Sequence, residues 1–136
     1  MNLMVTPLYA GLLVLWFLVL SIRVIRRRGI DKIYLGDGGN SRIARIIRGH
    51  ANFVEYVPLA LLLMAMLELT HFSIYLLHGL GIVLLIARLL HGYAFSFTEK
   101  FVFGRVAGAL LTFLVLGIEA VLCIYQAVIA HQLWMR

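Results

Sequence analysis

Four apolar runs divide the chain, and the polar residues gather at their ends. The first, Leu3 to Ile22, carries no charge, and about 20 apolar residues cross the hydrocarbon of a bilayer as one helix. It has no basic start and no small-residue cleavage pattern, so it reads as a retained span rather than a removed signal. Arg23, Arg26, Arg27 and Arg28 follow at once and read as topology determinants at a cytoplasmic end, with Arg23 also open to a binding role. The pattern predicts helices over about 3–28, 41–69, 74–95 and 104–131, all within one domain, residues 1–136. Ser41 is the expected N-cap of the second. Pro58 is expected to kink it, because proline lacks an N–H and crowds the preceding turn. Residues 29–44 form the one substantial loop, and Ser96 to Phe103 a short turn containing Glu99 and Lys100. Gly36, Gly38, Gly39 and Asn40 mark turns. With no preceding strand and no Lys-Ser/Thr ending, these glycines are not a phosphate-binding loop.

Inside the runs the polar positions are ordered. The second run opens Arg45-Ile-Ile-Arg48-Gly-His50-Ala-Asn52-Phe-Val-Glu55-Tyr56-Val-Pro58. With Arg48 at zero and about 100° per residue, Asn52 lies near about +40°, Glu55 near about −20° and Arg45 near about +60°. These four make one stripe. A charge in mid-bilayer costs ~2.5–3.5 kcal/mol on insertion scales, so the stripe needs a partner. Arg48 and Glu55 read either as a ligand wall or as an intramembrane ion pair. Arg45 reads either as part of that wall or as a side chain snorkelling to headgroups. His50 is about 200° from Arg48 and should contact the loop or a neighbour. In the third run Arg88 and His91 are about 60° apart and share a face. In the fourth, Arg105, Thr112, Glu119 and Gln126 recur every seventh residue, the period of a seam that faces protein in a left-handed bundle. Glu119 reads as a neutral acid hydrogen-bonded between helices, or as part of a polar channel. Gly104-x-x-x-Gly108 permits close helix approach. His71 and His78 read as interfacial, and Tyr9 and Trp134 as interface anchors.

Composition turns four helices into four spans. Of 136 residues 63% are hydrophobic and 13% charged, with a mean hydropathy of +1.00, whereas soluble domains sit nearer half apolar. Lys and Arg number 12 against 6 acids. The basic residues lie beside apolar runs rather than on a soluble face, which argues for a membrane and against nucleic acid. All of them except Arg136 fall at or beside the connections after the first and third runs. Those connections are therefore expected in the cytoplasm and both termini outside it. The expected class is an all-α integral membrane protein, an up-down-up-down bundle of four transmembrane helices. Cys123 is alone, which excludes an intrachain disulfide. The five His residues share no ligand spacing, so no metal is expected. No Ser-His-Asp set is present.

In an antiparallel bundle, Arg23, Arg45, Arg48, Asn52, Glu55, Arg88, His91 and Arg105 all fall near the cytoplasmic ends. Such a basin suits an anionic, flexible zwitterion: Arg forks grip carboxylates, a Glu holds an ammonium and an Asn bonds an amide. Glutathione has this inventory plus a thiol. A free thiol of this type has a pKa of ~8.5, and a neighbouring Arg favours the reactive thiolate.

The string Arg45-x-x-Arg48-x-His50-x-Asn52-x-x-Glu55-Tyr56-x-Pro58-Leu59 resembles the second-helix signature of the MAPEG family, the membrane-associated proteins in eicosanoid and glutathione metabolism. The resemblance extends to chain length, four spans, a long first cytoplasmic loop and a basic start to the fourth helix. It implies a homotrimer that binds glutathione as co-substrate between subunits, near the cytoplasmic ends. It implies glutathione contacts from Arg48, Asn52 and Glu55, with Tyr56 as a further one. Arg23 matches the Arg that closes helix one, and Arg88 and His91 match the Arg-x-x-His/Tyr pattern of helix three. Arg105 matches the helix-four Arg that stabilises the thiolate, and is the expected catalytic group. The implied reaction is glutathione transfer to, or peroxide reduction of, a lipophilic small molecule, with a bacterial inner membrane as the setting. There are departures. Ala51 stands where the prostaglandin synthase has another Arg. Phe95, one turn after His91, stands where eukaryotic members have a ligand-binding Tyr, and Tyr93 is off that face by about 160°. The alternatives are a non-catalytic binding or scaffold protein of the same fold, and a small transporter using the Thr112–Glu119–Gln126 stripe.

Overall fold

A computed structural model describes residues 3–135, excluding the side chains of residues 132–134. The expected anchor Trp134 and the outlying Arg136 therefore fall outside the described side chains. The chain forms four helices: α1 (Val5–Asp31), α2 (Ser41–Leu69), α3 (Ile74–Ser96) and α4 (Val102–Trp134). Each contains a stretch long and apolar enough to cross a membrane, so the protein is a four-span membrane bundle. α1 packs on α2 and α3, and α4 packs on the same two helices without meeting α1. α2 and α3 therefore form the middle of the bundle.

The apolar spacing of α2 explains how it holds that place. Phe53, Val57, Ala60, Met64 and Leu67 are buried at intervals of three and four residues, which keeps them on one face. They meet Leu13 and Leu20 of α1, Leu80 and Leu84 of α3, and Val115 of α4 in one core. The opposite faces stay apolar, with Leu15, Ile25, Leu62 and Val121 exposed, as a surface solvated by lipid requires. α2 continues as helix through Pro58.

Two close approaches depend on glycine. A Cβ on Gly81 of α3 would lie 2.3 Å from the Tyr9 ring, so the ring of α1 rests directly on the α3 backbone. Tyr9 is buried, its hydroxyl 3.0 Å from His78 Nδ1 and donating to the His78 carbonyl at 3.1 Å. Tyr9 is thus a packing residue between spans, not the interface anchor expected from its position, and His78 is its partner. A Cβ on Gly108 would lie 2.7 Å from the Ala87 carbonyl oxygen, which draws α4 against α3 as the Gly104-x-x-x-Gly108 spacing predicts.

The helix ends differ from expectation in two ways. The N-cap of α2 is Asn40, not Ser41: its side chain accepts from Arg42 N at 3.0 Å and Ile43 N at 3.3 Å. Both residue types cap well, and the turn ending at Gly39 puts Asn40 in extended backbone, φ −88° and ψ 109°. The α3–α4 turn is shorter than expected, because α3 continues to Ser96 and α4 begins at Val102. The N-terminus of α1 has no cap of its own. Glu68, at the end of α2, accepts from the backbone N–H groups of Met4, Val5 and Thr6 instead.

Candidate functional site

The polar stripe of α2 is continuous in sequence but fans out to three destinations. Asn52 turns inward. Its Oδ1 accepts from Arg88 Nη1 of α3 at 3.0 Å. Arg88 is only 2% exposed, and its Nη2 also donates to the Gly108 carbonyl of α4 at 3.4 Å. That carbonyl accepts from the Thr112 hydroxyl as well, at 2.7 Å. One buried guanidinium therefore ties α2, α3 and α4 together, while its Nε has no partner.

Arg48 and Glu55 stay on the open flank of α2. They pair at 2.9 Å with side chains 60% and 42% exposed. At that exposure both groups remain open to another partner. Tyr56 packs edge-to-face on Phe113 of α4, ring centroids 5.4 Å apart.

Arg45 takes the third direction. It donates to the Thr98 carbonyl and pairs with the Glu99 carboxylate at 3.1 Å. It does not snorkel to headgroups, because acceptors of the α3–α4 turn lie within its reach. Arg105, at the start of α4, donates to the Glu99 carbonyl at 3.0 Å. Its guanidinium also lies over the Phe95 ring, 5.1 Å from the centroid, a cation–π distance. Phe95 in turn stacks on His91 at 4.7 Å, and His91 is buried on the same side of α3 as Arg88. Ser41, Arg42, Arg45, Glu99 and Arg105 line a polar recess of about 270 Å³.

Arg23 lies elsewhere. Its Nε donates to the Ser96 carbonyl at 3.2 Å and its guanidinium sits 4.9 Å from the Phe97 ring centroid. Among its neighbours Arg27 pairs with Asp31 at 2.8 Å. Arg28 donates to Gly36 of the loop at 3.2 Å. The loop, together with Arg28, Arg48 and Ala51, borders a second recess of about 410 Å³. The face of α2 opposite Arg48 carries His50, whose Nε2 is 3.0 Å from Ser21 Oγ of α1.

The expected site residues thus form an inner set, the buried Arg88 and His91 with the half-buried Asn52; an exposed pair, Arg48 with Glu55; and a rim group, Arg105 on Phe95. Arg23 stands apart from all three. The partners that the sequence did not single out are mostly backbone carbonyls, those of Gly108, Thr98 and Glu99, which no residue type announces. Phe95 carried a signal: it occupies the helix-three position one turn after His91.

Among the described residues no cluster of three or more metal-ligating side chains forms. On α4, Thr112 and Glu119 are buried and face the core of their own chain, as the seven-residue period predicts. Glu119 departs from the expected interhelical hydrogen bond, since neither carboxylate oxygen has a partner. One turn further along α4, the Cys123 thiol donates to the Leu63 carbonyl of α2 at 3.7 Å.

Comparison with known proteins agrees with this architecture. The inner membrane protein YecN of Escherichia coli strain K12 is 42% identical over 92 residues, covering 68% of this chain and 70% of YecN. The protein of the same name from E. coli O6:H1 matches to the same extent. The profile of the MAPEG family covers residues 6–125, from the first turns of α1 to the last third of α4, and the chain therefore belongs to the MAPEG family.

Proposed function

We propose that the protein binds glutathione at the basic end of the bundle and catalyses its reaction with a lipophilic electrophile or peroxide. The observation that carries this reading is the Arg48–Glu55 pair. It leaves a cation and an anion exposed side by side, at one end of a bundle that also presents Arg105 at its rim. A zwitterionic peptide with two carboxylates and one ammonium satisfies both signs at once. Arg48 takes a carboxylate bidentately, Glu55 takes the ammonium, and Tyr56, Asn52, Arg88 and His91 form the inner wall. Arg23 stands apart from these residues within one protomer, and in the trimer it contributes from a neighbouring copy. Family membership supports the activity class.

Arg105 is the catalytic group in this reading. A fixed cation beside the sulfur stabilises the thiolate, and a preorganised charge costs no reorganisation when the reaction occurs. The thiol proton passes to solvent. The sulfur then forms a bond to the electrophilic carbon, and a leaving group departs with the electron pair of the broken bond. The protomer leaves Arg48 and Glu55 exposed on its flank and Arg105 half-buried at its rim, so the site is completed by a neighbouring copy in a homotrimer. The apolar substrate enters from the bilayer. The setting is an inner membrane, as in the name of the E. coli relative, with the basic connections in the cytoplasm and both termini outside it.

The test uses protein purified in detergent, with glutathione titrated calorimetrically and turnover followed on a model electrophile. Binding and turnover are expected, and Arg48→Ala should weaken binding by at least tenfold, the loss of one charged hydrogen-bonded contact of ~1.5–3 kcal/mol. Absence of both in the wild type overturns the reading. Binding without turnover favours a non-catalytic binding protein, an alternative suggested by Phe95, which offers no hydroxyl beside Arg105.

A further inference from the structure

We propose that Arg45 and Glu99 are positioning residues for Arg105. This rests on the reading of Arg105 as the group that stabilises the thiolate. The chain of contacts is short. Arg45 of α2 holds the α3–α4 turn with both arms, one on the Thr98 carbonyl and one on the Glu99 carboxylate at 3.1 Å. The Thr98 hydroxyl fastens the turn back to the Ala94 carbonyl of α3 at 3.3 Å. The backbone carbonyl of Glu99 then accepts from Arg105 Nη2 at 3.0 Å, while the Phe95 ring lies against the guanidinium.

Arg105 is therefore oriented by two things: an α3 ring and a carbonyl of the turn. The ring is fixed by packing, since Phe95 Cβ abuts Gly49 of α2, where an added Cβ would come within 2.5 Å. The carbonyl is fixed only as well as the turn is. α3 ends at Ser96 and α4 begins at Val102, so the turn is bridged to α2 by Arg45. The Arg45 side chain is 16% exposed and that of Glu99 is 70% exposed. An ion pair with one partner this exposed contributes little stability. What it does contribute is geometry: it sets the place and direction of the carbonyl that holds Arg105. Misplacing a catalytic group by about 1 Å costs on the order of a hundredfold in rate.

The experiment compares wild type, Arg45→Met, Arg45→Lys, Glu99→Gln, Arg105→Ala and the Arg45→Met/Arg105→Ala double variant in detergent. The readouts are kcat and KM for glutathione with a model electrophile, and the ultraviolet thiolate absorbance of bound glutathione against pH. Arg45→Met should lower kcat roughly ten- to a hundredfold and move the thiolate titration to higher pH. KM for glutathione should stay within about twofold, because the ground-state contacts are elsewhere. Arg45→Lys keeps the charge but only one arm, and Glu99→Gln keeps the carbonyl but loses the charge. Both should fall between wild type and Arg45→Met, and they carry the test if Arg45→Met does not fold. In the Arg105→Ala background, Arg45→Met should add no further titration shift. An Arg45→Met protein that titrates like wild type while Arg105→Ala does not would overturn this assignment alone. An Arg105→Ala protein with unchanged titration and turnover would overturn both the assignment and the role of Arg105.

Discussion

The Arg88 guanidinium and the Asn52 carbonyl oxygen meet at 3.0 Å between α3 and α2, and this contact decides how the basic end of the bundle is built. Arg88 is the bulkiest of the fully buried side chains, yet it has no carboxylate among its hydrogen-bond partners. Asn52 and the Gly108 carbonyl share the task. Asn52→Ala should cost about 1–3 kcal/mol, the penalty of stranding a buried donor. It should appear as a lower midpoint of thermal unfolding in detergent. Asn52→Asp preserves an acceptor and should retain most of the stability. If Asn52→Ala unfolds with the wild type, the contact is not holding α2 to α3.

Gly108 tests the same junction from α4. An added Cβ would lie 2.7 Å from the Ala87 carbonyl oxygen and from His91 Cβ, and the first of these is backbone. Gly108→Ala should force α4 away from α3 and destabilise by about 1–3 kcal/mol, with loss of the Arg88 Nη2 contact. Gly117→Ala on the same helix is the control, since nothing lies within 4 Å of its added Cβ. There alanine should be neutral or stabilising by up to ~1 kcal/mol. Equal melting of the two variants would show that close packing at Gly108 is unimportant.

Glu119 makes the opposite prediction. It is fully buried and both oxygens lack partners, so it bears a desolvation cost without compensation. Glu119→Leu should raise the unfolding midpoint, by the equivalent of about 1–3 kcal/mol. A lowered midpoint would point to a partner that Glu119 needs. A glutathione-independent solute flux in liposomes that disappears in Glu119→Gln would revive the transporter reading.

At the other end of the bundle, Glu68 caps a helix to which it does not belong. It accepts from Val5 N at 2.7 Å and Thr6 N at 2.8 Å. A negative charge at a helix N-terminus also favours the helix dipole. Glu68→Ala should cost about 0.5–2 kcal/mol, and the Val5 and Thr6 amides should exchange with deuterium faster. Glu68→Gln keeps an acceptor but not the charge, and should lie between. Unchanged exchange in Glu68→Ala would mean that water caps α1 equally well.

Much of the candidate site was legible in the residues, but not its wiring. Arg48 and Glu55 are seven apart, which puts them on one helix face two turns apart, within reach of each other because both side chains are long. Arg88 and His91, three apart, are likewise buried on one side of α3. Arg45, one turn before Arg48, gave no sign that it would reach the α3–α4 turn, because its partners lie more than fifty residues away and one is a backbone carbonyl. Ser41 and Asn40 were both chemically able to cap α2; the backbone conformation at the end of the loop selected Asn40.

The sequence by itself determined the four spans, because each holds a stretch of about 20 residues whose few polar groups are confined to one face or one end, and such a stretch has no stable place other than a bilayer or a buried core. It also determined which faces are polar, because helical geometry fixes side-chain direction from spacing. Only the tertiary structure decided which stripe residue faces which neighbour. Asn52 goes to Arg88 of α3, Arg48 and Glu55 to the open flank and Arg45 to the turn that holds Arg105. The physical reason is that a stripe about 80° wide can face several directions at once. The choice among them depends on where the glycines of other helices, such as Gly108, let backbones come close enough to offer a carbonyl.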